Sequence, residues 1–222
     1  MYILYTYLNR HSHKKLLEQF LLNYSVDLQK KILRYRRWQD AQASLIGRML
    51  LFKGIEKFDK NYREEDLKYT KYKKPYFLDE QLKFNISHSG ELVVCIISDS
   101  SEVGIDVELM NGIHIENFKS QMTNSEWNNI ILSNNKLHSF YAYWTAKESV
   151  LKAHGMGLSI PLKSFEIIDN VAMVDECFFY LKEIDIDRNY KCFISSTLEI
   201  KNEELKLERL PLSTLRRNEA RE

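Results

Sequence analysis

The sequence predicts an α+β protein. Amphipathic helical stretches and short β-branched runs follow each other along the whole chain, and neither type dominates. Hydrophobic residues make up 44% and charged residues 28%, the balance of a folded globular chain rather than a disordered one. The 222 residues are enough for one large domain or two small ones. We therefore expect two compact halves, each of mixed helix and strand.

Charge and cysteine content exclude several functional classes. The 32 Lys and Arg residues nearly balance the 31 Asp and Glu residues, so a protein that coats nucleic acid is excluded. Cys95, Cys177 and Cys192 lie far apart in apolar runs without a CxxC pattern, which is typical of core residues in a reducing compartment. Neither a signal peptide nor a membrane span is predicted. We expect a cytoplasmic protein with no membrane or nucleic-acid partner.

Hydrophobic periodicity places the elements in order. The expected helices are at 13–24, from 27, and at 40–57, 124–133 and 139–154; the expected strands are at 2–8, 92–98, 103–108, 165–168, 177–181 and 191–196. Gly155 is typical of the residue that follows a last helical turn. From Lys201 onward 11 of 22 residues are charged, so this tail should be exposed. The predicted division is 1–103, 104–200 and a tail at 201–222.

Two carboxylates on one strand face form the first candidate site. Side chains alternate between faces along Gly104–Glu108 (GIDVE), so Asp106 and Glu108 point the same way while Ile105 and Val107 point into the core. Two hard oxygen ligands on one face suit Mg²⁺, which takes its other ligands from substrate phosphates and water. The alternative is an ordinary half-exposed strand with solvated acids.

The helix that ends before Gly155 carries the second candidate. Glu148 and Lys152 stand four residues apart and are therefore neighbours on one helical face. Taken alone, such a pair is typical of a surface ion pair. Gly155 and Gly157 let the backbone come close to a ligand or to another segment, which favours a site.

Polar and basic runs are candidates for binding phosphate. Phe84–Gly90 (FNISHSG) offers Ser87 and His88 as phosphate donors, while a serine–histidine catalytic couple and a simple capping turn stay open as alternatives. Five cations within residues 30–37 and three within 71–74 indicate either a phosphate-binding patch or a solvated face.

In combination, these segments resemble a known family. A basic helix runs into Asp40-Ala41 and is followed by Lys74-Pro75, FNISHS, GIDVE and WTAKESVLKAHGMGL (residues 144–158). This order and spacing resemble the 4′-phosphopantetheinyl transferases, in particular the larger class that activates peptide synthetases and related carrier proteins. The resemblance extends from about Lys31 to Leu158.

The resemblance implies a fold and a reaction. Family members transfer the 4′-phosphopantetheine arm of coenzyme A to a serine of an apo carrier protein and release 3′,5′-ADP. The larger members are single chains of two similar α/β halves with coenzyme A in the cleft between them. We therefore expect a monomeric pseudo-dimer of two halves, each a small, mainly antiparallel sheet packed with helices. Its partners would be acyl, peptidyl or aryl carrier proteins or domains.

The resemblance also implies roles for the acidic residues. Asp106, Glu108 and Glu148 would hold Mg²⁺ on the diphosphate of coenzyme A. Glu148 would also be the base for the acceptor serine, and Lys152 would neutralise phosphate charge as 3′,5′-ADP leaves. Asp106, Glu148 and Lys152 are thus the expected catalytic residues. Glu126 looks like a further acidic position of the family near the metal.

A third set of residues is expected to bind the donor. By resemblance, these residues contact the phosphates and nucleotide of coenzyme A: Lys31, Ser44, Lys74, Pro75, Ser87, His88 and Lys152. Leu28 departs from the pattern because the best-known members carry a lysine there, so one phosphate contact is either missing or supplied by Lys30. Lys73 departs as well, since it replaces a glycine before the Lys-Pro pair and should alter adenine packing.

Two other functions stay open at this point. A coenzyme A-binding module without catalysis would need no third carboxylate, and a serine hydrolase built on Ser87 and His88 lacks an elbow glycine pattern and an orienting acid. The apolar segment at 113–132, which includes Phe118 and Met122, is either the surface where the carrier docks or part of the second core.

Overall fold

The structure is a computed structural model and describes residues 1–215. None of the helices in that range is long and apolar enough to cross a membrane. The helices and strands, in chain order, are β1 (Tyr2–Tyr7), α1 (His13–Phe20), α2 (Val26–Arg34), α3 (Trp38–Ile55), β2 (Leu67–Tyr69), β3 (Pro75–Phe77), β4 (Lys83–Ser89), β5 (Leu92–Ser98), β6 (Val103–Leu109), α4 (Asn124–Leu132), α5 (Lys136–His154), β7 (Val171–Val174), β8 (Cys177–Glu183), β9 (Tyr190–Ser196) and β10 (Lys206–Arg209).

Two four-stranded sheets organise the chain. The first has the order β10-β1-β5-β4, the second has the order β6-β9-β8-β7, and β2 pairs with β3 in a separate hairpin. All pairings in the second sheet are antiparallel, whereas β10 joins β1 in parallel. One long helix covers each sheet, α3 against β5 and α5 against β6 and β9. This confirms the predicted α+β class, and the two halves fit a pseudo-dimer.

The uncovered faces of the two sheets pack against each other. Ile3 of β1, Val94 of β5, Ile105 of β6 and Ile194 of β9 are fully buried in one shared apolar cluster. Burial of such side chains stabilises a fold by roughly 1.5–3 kcal/mol each. Because Ile105 and Val107 point into this cluster, the alternate residues of β6 point to the opposite face, toward α5.

The edges of the two sheets meet where β4 runs beside β6 in the same direction. Polar side chains of β4, rather than a backbone ladder, join the two strands. Asn85 Oδ1, Ser87 Oγ and Ser89 Oγ accept the backbone N–H groups of Ile105, Val107 and Leu109 at 3.1, 3.3 and 3.1 Å. The FNISHS segment is thus a strand that fixes the position of GIDVE.

A glycine in β6 lets α5 lie unusually close to the sheet. A Cβ atom added at Gly104 would lie 2.0 Å from the Ser149 carbonyl oxygen and 2.5 Å from the Ala153 nitrogen. Real side chains do not tolerate such contacts with backbone atoms. The first residue of GIDVE therefore sets the distance between β6 and the helix that carries Glu148 and Lys152.

Several sequence predictions need correction. No strand forms at 165–168, because Phe165 is buried in the second core and its carbonyl accepts a hydrogen bond from Lys147 instead of from a neighbouring strand. The helix expected at 13–24 ends at Phe20 and continues as a 3₁₀ turn. In the charged tail, Lys206–Arg209 is a strand, although most of its residues are exposed as expected.

The cysteines are only partly where the sequence placed them. Cys95 and Cys192 are buried in the core as predicted, but Cys177 is exposed at the start of β8. All three are free.

Candidate active site

Asp106 is the centre of the site. Its side chain lies on the α5 face of β6 and is only 4% exposed. The Lys152 ammonium donates to Asp106 Oδ1 at 2.6 Å and to Ser87 Oγ at 2.8 Å, and Ser87 in turn donates to Asp106 Oδ1 at 3.0 Å. Residues from FNISHS, GIDVE and the WTAKE helix are therefore in direct contact, and the meeting of GIDVE with the WTAKE helix is the one that the family resemblance implies.

The second oxygen of Asp106 is buried without a hydrogen-bond partner among the residues that the structure describes. Such an oxygen is costly, because burial removes its water and no donor replaces it. A buried carboxylate oxygen of this kind fits a site that is completed by a bound cation or ligand.

Two further carboxylates approach Asp106. Burial raises the pKa of Glu108 first of all and the charge of Asp106 adds to this, whereas a hydrogen bond from Ser89 at 2.7 Å acts in the opposite direction. Burial likewise raises the pKa of Glu148; Asp106 and Glu108 reinforce this and Lys152 opposes it. Neighbouring carboxylates raise one another's pKa because like charges repel. Three acidic side chains, Asp106, Glu108 and Glu148, thus lie within electrostatic range of one another and of Lys152.

These carboxylates do not form a closed metal centre by themselves. Within residues 1–215, no group of three or more His, Cys, Asp and Glu side chains is arranged to hold a metal ion unaided. Mg²⁺ is ordinarily bound by one or two protein carboxylates together with substrate phosphates and water. The buried Asp106 oxygen and the neighbouring Glu108 therefore fit Mg²⁺ in that open mode.

The basic helix α2 lies near the same region, because its Lys31 acts electrostatically on His88 of β4. Partial removal of water from the His88 imidazole lowers its pKa most. The positive charges of Lys152 and Lys31 lower the pKa further, whereas the negative charges of Asp40 and Asp106 raise it. Lys31 of α2 and Asp40 of α3 therefore lie within electrostatic range of the residue that follows Ser87.

The remaining residues of α2 and α3 that the sequence analysis named for donor binding differ in their exposure. Ser44 is half-buried one turn after Asp40, on the same face of α3. Leu28, which departs from the family pattern, is buried with Ile32 in the first core and does not point outward. Lys30 is exposed beside it.

Lys74 and Pro75 line a cavity of about 440 Å³ between the β2–β3 hairpin and the end of α5. The cavity walls also include Tyr72, Glu102, His154, Gly155 and Met156. The Lys74 ammonium is already bound by Glu102 Oε2 at 2.8 Å and by the Ala153 carbonyl at 2.6 Å. The charge of Lys74 is therefore engaged by the protein, and its expected contact with a donor phosphate stays a prediction.

Glu126 has a structural position. Its carboxylate forms a fully buried ion pair with Lys147 at 2.9 Å and accepts the backbone N–H groups of Thr123 and Ile167 at 2.9 and 3.1 Å. Burial lowers the pKa of Lys147, and Glu126 opposes that shift. Since both oxygens of Glu126 are engaged, the expectation of a role at the metal is not supported.

Most apolar side chains of the segment at 113–132 belong to a core, although the segment as a whole is largely exposed. Met122 and Ile130 are buried and Phe118 packs against Phe140 and Trp144. For these residues the core alternative is correct, and a Glu substitution at Met122 would test folding rather than docking.

Sequence reasoning missed Ser89 and Glu102. Ser89 was detectable, because it lies two residues after Ser87 and so shares its face of β4. No sequence pattern pairs Glu102 with Lys74, since the two residues are distant along the chain and meet only through the fold.

Both halves contribute to the cluster around Asp106, since Ser87 comes from the first half and Lys152 from the second. A model of the 4′-phosphopantetheinyl transferase superfamily matches residues 102–199, and a model of the N-terminal part of 4′-phosphopantetheinyl transferases matches residues 13–100.

Relatives of known name agree with these matches. The chain is 39% identical to the 4′-phosphopantetheinyl transferase gsp of Aneurinibacillus migulanus, over 67% of this chain and 63% of that protein. It is 30% identical to the 4′-phosphopantetheinyl transferase Sfp of Bacillus subtilis, over 83% of this chain and 87% of that protein. An L-aminoadipate-semialdehyde dehydrogenase-phosphopantetheinyl transferase of Xenopus laevis is 33% identical over 58% of this chain and 48% of that protein. The chain belongs to the 4′-phosphopantetheinyl transferase family, in its two-halved class.

Proposed function

We propose that the protein transfers the 4′-phosphopantetheine arm of coenzyme A to a serine of an apo acyl, peptidyl or aryl carrier protein, with Mg²⁺ as cofactor. The serine oxygen forms a bond to the β-phosphorus of coenzyme A, and the bond from that phosphorus to 3′,5′-ADP breaks. The observation that carries the proposal is the meeting of Asp106, Glu108, Glu148 and Lys152 beside Ser87.

With the donor's diphosphate and water as the other ligands, Asp106 and Glu108 would hold Mg²⁺, and Glu148 would join them as the third carboxylate that the family resemblance implies. When bound, this ion would supply Lewis-acid polarisation of the diphosphate. The buried, unpartnered oxygen of Asp106 is the feature of the chain that best supports this assignment.

Glu148 and Lys152 would handle the proton and the charge. Burial and neighbouring acids raise the pKa of Glu148, which brings it closer to the range in which a carboxylate accepts a proton from a serine hydroxyl effectively. Lys152 stands one turn further along α5 and would neutralise the negative charge of departing 3′,5′-ADP. Ser87 orients the Lys152 ammonium through the 2.8 Å hydrogen bond.

The nucleotide end of the donor would lie toward Lys31, Ser44, Pro75 and His88. Exposed Lys31 supplies positive charge, and Pro75 lines the 440 Å³ cavity. In this proposal the protein acts as a cytoplasmic monomer whose two halves, 1–103 and 104–200, contribute opposite sides of the site.

The alternatives fit the geometry less well. Within residues 1–215, Ser87 Oγ is bound to Lys152, Asp106 and the Val107 N–H and not to a histidine, so a serine hydrolase is disfavoured. A coenzyme A-binding module would not need Glu148 as a third acid beside Asp106 and Glu108.

A carrier-modification assay tests the proposal. The protein is incubated with coenzyme A, Mg²⁺ and several apo carriers of different types, and the intact mass of each carrier is measured. We expect at least one carrier to gain a phosphopantetheinyl group, with EDTA and a carrier lacking its target serine as controls. Binding of coenzyme A without modification of any carrier would support the binding module instead.

A further inference from the structure

We propose that Lys74 is a positioning residue: it fixes the C-terminal end of α5, and with it Lys152 and Glu148, rather than contacting a phosphate of the donor. This inference rests on the proposed function and changes the role that the family resemblance gives to Lys74.

The Lys74 ammonium is held by hydrogen bonds to the protein itself. It donates to the Ala153 carbonyl at 2.6 Å and to Glu102 Oε2 at 2.8 Å, and the side chain is only 15% exposed. An ammonium has three protons to donate, and hydrogen bonds from a charged donor are among the stronger ones in proteins. Two protein acceptors at short distance therefore take up most of its binding capacity.

Ala153, which accepts one of these hydrogen bonds, lies at the C-terminal end of α5. The last four carbonyls of a helix lack partners within the helix, and a cation there also interacts favourably with the helix dipole. Ala153 belongs to the last turn of α5 and directly follows Lys152. Lys74 comes from the β2–β3 hairpin of the first half, so this bond ties the site helix to the other half.

Gly155 provides an independent observation. It caps α5 in the left-handed conformation with φ of 89°. A Cβ atom added there would lie 2.7 Å from Lys74 Cδ. The aliphatic stem of Lys74 therefore crosses directly over the end of α5, and the glycine keeps the space in which it lies.

Glu102 holds the other side of the ammonium. Burial raises the pKa of the Glu102 carboxyl, but the positive charges of Lys74 and Lys83 outweigh this and lower the pKa below its usual value. Glu102 therefore stays charged. Lys83 donates to Glu102 at 3.0 Å and to Glu80 at 2.9 Å, and in the part of the chain that the structure describes it has no hydrogen bond to α5. It is a matched control for Lys74.

The rate of transfer should depend on how accurately α5 places Lys152 and Glu148. Lys152 and Glu148 must meet Asp106 and the donor in one arrangement, and a displacement of about 1 Å can cost about a hundredfold in rate. Loss of the Lys74 bond frees the last turn of α5 while leaving the donor's own contacts in place. The rate of transfer should therefore suffer more than donor binding.

The test compares Lys74→Met, Lys74→Arg and Lys83→Met. Carrier modification is measured at varied coenzyme A, and amide hydrogen exchange of α5 is measured without donor. For Lys74→Met we expect kcat to fall roughly tenfold or more, KM for coenzyme A to change by about twofold at most, and amides at 151–155 to exchange faster. Lys74→Arg should recover part of kcat, and Lys83→Met should resemble the wild type.

Two results would overturn the inference. A raised KM for coenzyme A with unchanged kcat and unchanged exchange would make Lys74 a direct donor contact, and an unchanged Lys74→Met variant would remove any role. If the wild type modifies no carrier, the proposed function fails, whereas hydrogen exchange still decides whether Lys74 holds α5.

Discussion

The long helices α3 and α5 occupy corresponding places in the two halves, but α5 brings Lys152 into direct contact with Asp106, whereas the nearest charged residue of α3, Asp40, lies only within electrostatic range of His88. The buried polar side chains of α3 serve the first half itself: Gln42 exchanges hydrogen bonds with the backbone of Asn9, and Arg48 pairs with Glu64 at 3.3 Å. On α5, Lys152 crosses to Asp106 and Ser87. The buried polar side chains of α3 therefore stabilise the first half, whereas Lys152 of α5 takes part in the cluster around Asp106.

The two helices also approach their sheets in different ways. In the first half the helix supplies the glycine, since a Cβ atom at Gly54 would lie 2.1 Å from Ile97 Cδ1. In the second half the strand supplies it, through Gly104 against the backbone of α5. Placing the glycine in the strand leaves every position of α5 free to carry a side chain, which an active-site helix needs.

The two helices should differ most in the free energy of unfolding that is lost when a lysine charge is removed, because the lysine on α5 is fully buried. Lys147 is fully buried against Glu126 and the carbonyls of Leu162 and Phe165. Lys147→Met leaves Glu126 buried and unpaired, so we expect a loss of about 3–5 kcal/mol in the free energy of unfolding. Lys53→Met on α3, whose partner Glu56 is exposed, should cost less than about 1 kcal/mol. Denaturant titration measures both, and equal losses would contradict the comparison.

Alanine at the two glycines should separate stability from activity. Gly104→Ala overpacks α5 against backbone atoms, and we expect it to cost about 1–3 kcal/mol; Gly54→Ala meets the flexible end of the Ile97 side chain and should cost less. Only Gly104→Ala moves α5 relative to Asp106, so only that variant should lower kcat. Thermal unfolding and carrier modification on the same samples give both values. A comparable fall of kcat in Gly54→Ala would show that α3 shares in the chemistry.

The smallest effect concerns the turn before Pro75. Lys73 has φ of 67°, a left-handed conformation that is costly for a residue with a Cβ atom. Lys73→Gly should therefore raise the free energy of unfolding by roughly 0.5–1 kcal/mol, after the larger chain entropy of glycine is subtracted. A destabilised Lys73→Gly variant in denaturant titration would show that side-chain contacts of Lys73 outweigh the strain.

The sequence predicts the parts of this site that depend on local periodicity. Alternation along β6 places Asp106 and Glu108 on one face, and helical spacing places Glu148 beside Lys152; the structure shows both faces turned toward each other. The pairing of Glu126 with Lys147 was not predictable, because it depends on how α4, α5 and the segment at 162–167 pack together. The same packing prevents a strand at 165–168.

The central claim is that α5 performs the chemistry through Glu148 while the donor is held largely by other residues. Glu148→Gln tests it most directly, because the amide keeps the size of the side chain and one ligand oxygen but removes the basic carboxylate. Coenzyme A is titrated by calorimetry, and carrier modification is followed in a single turnover, with exposed Glu18→Gln as the control. The account predicts donor binding close to that of the wild type and a transfer rate lower by roughly a hundredfold or more. Transfer at the wild-type rate would contradict it and place the base elsewhere.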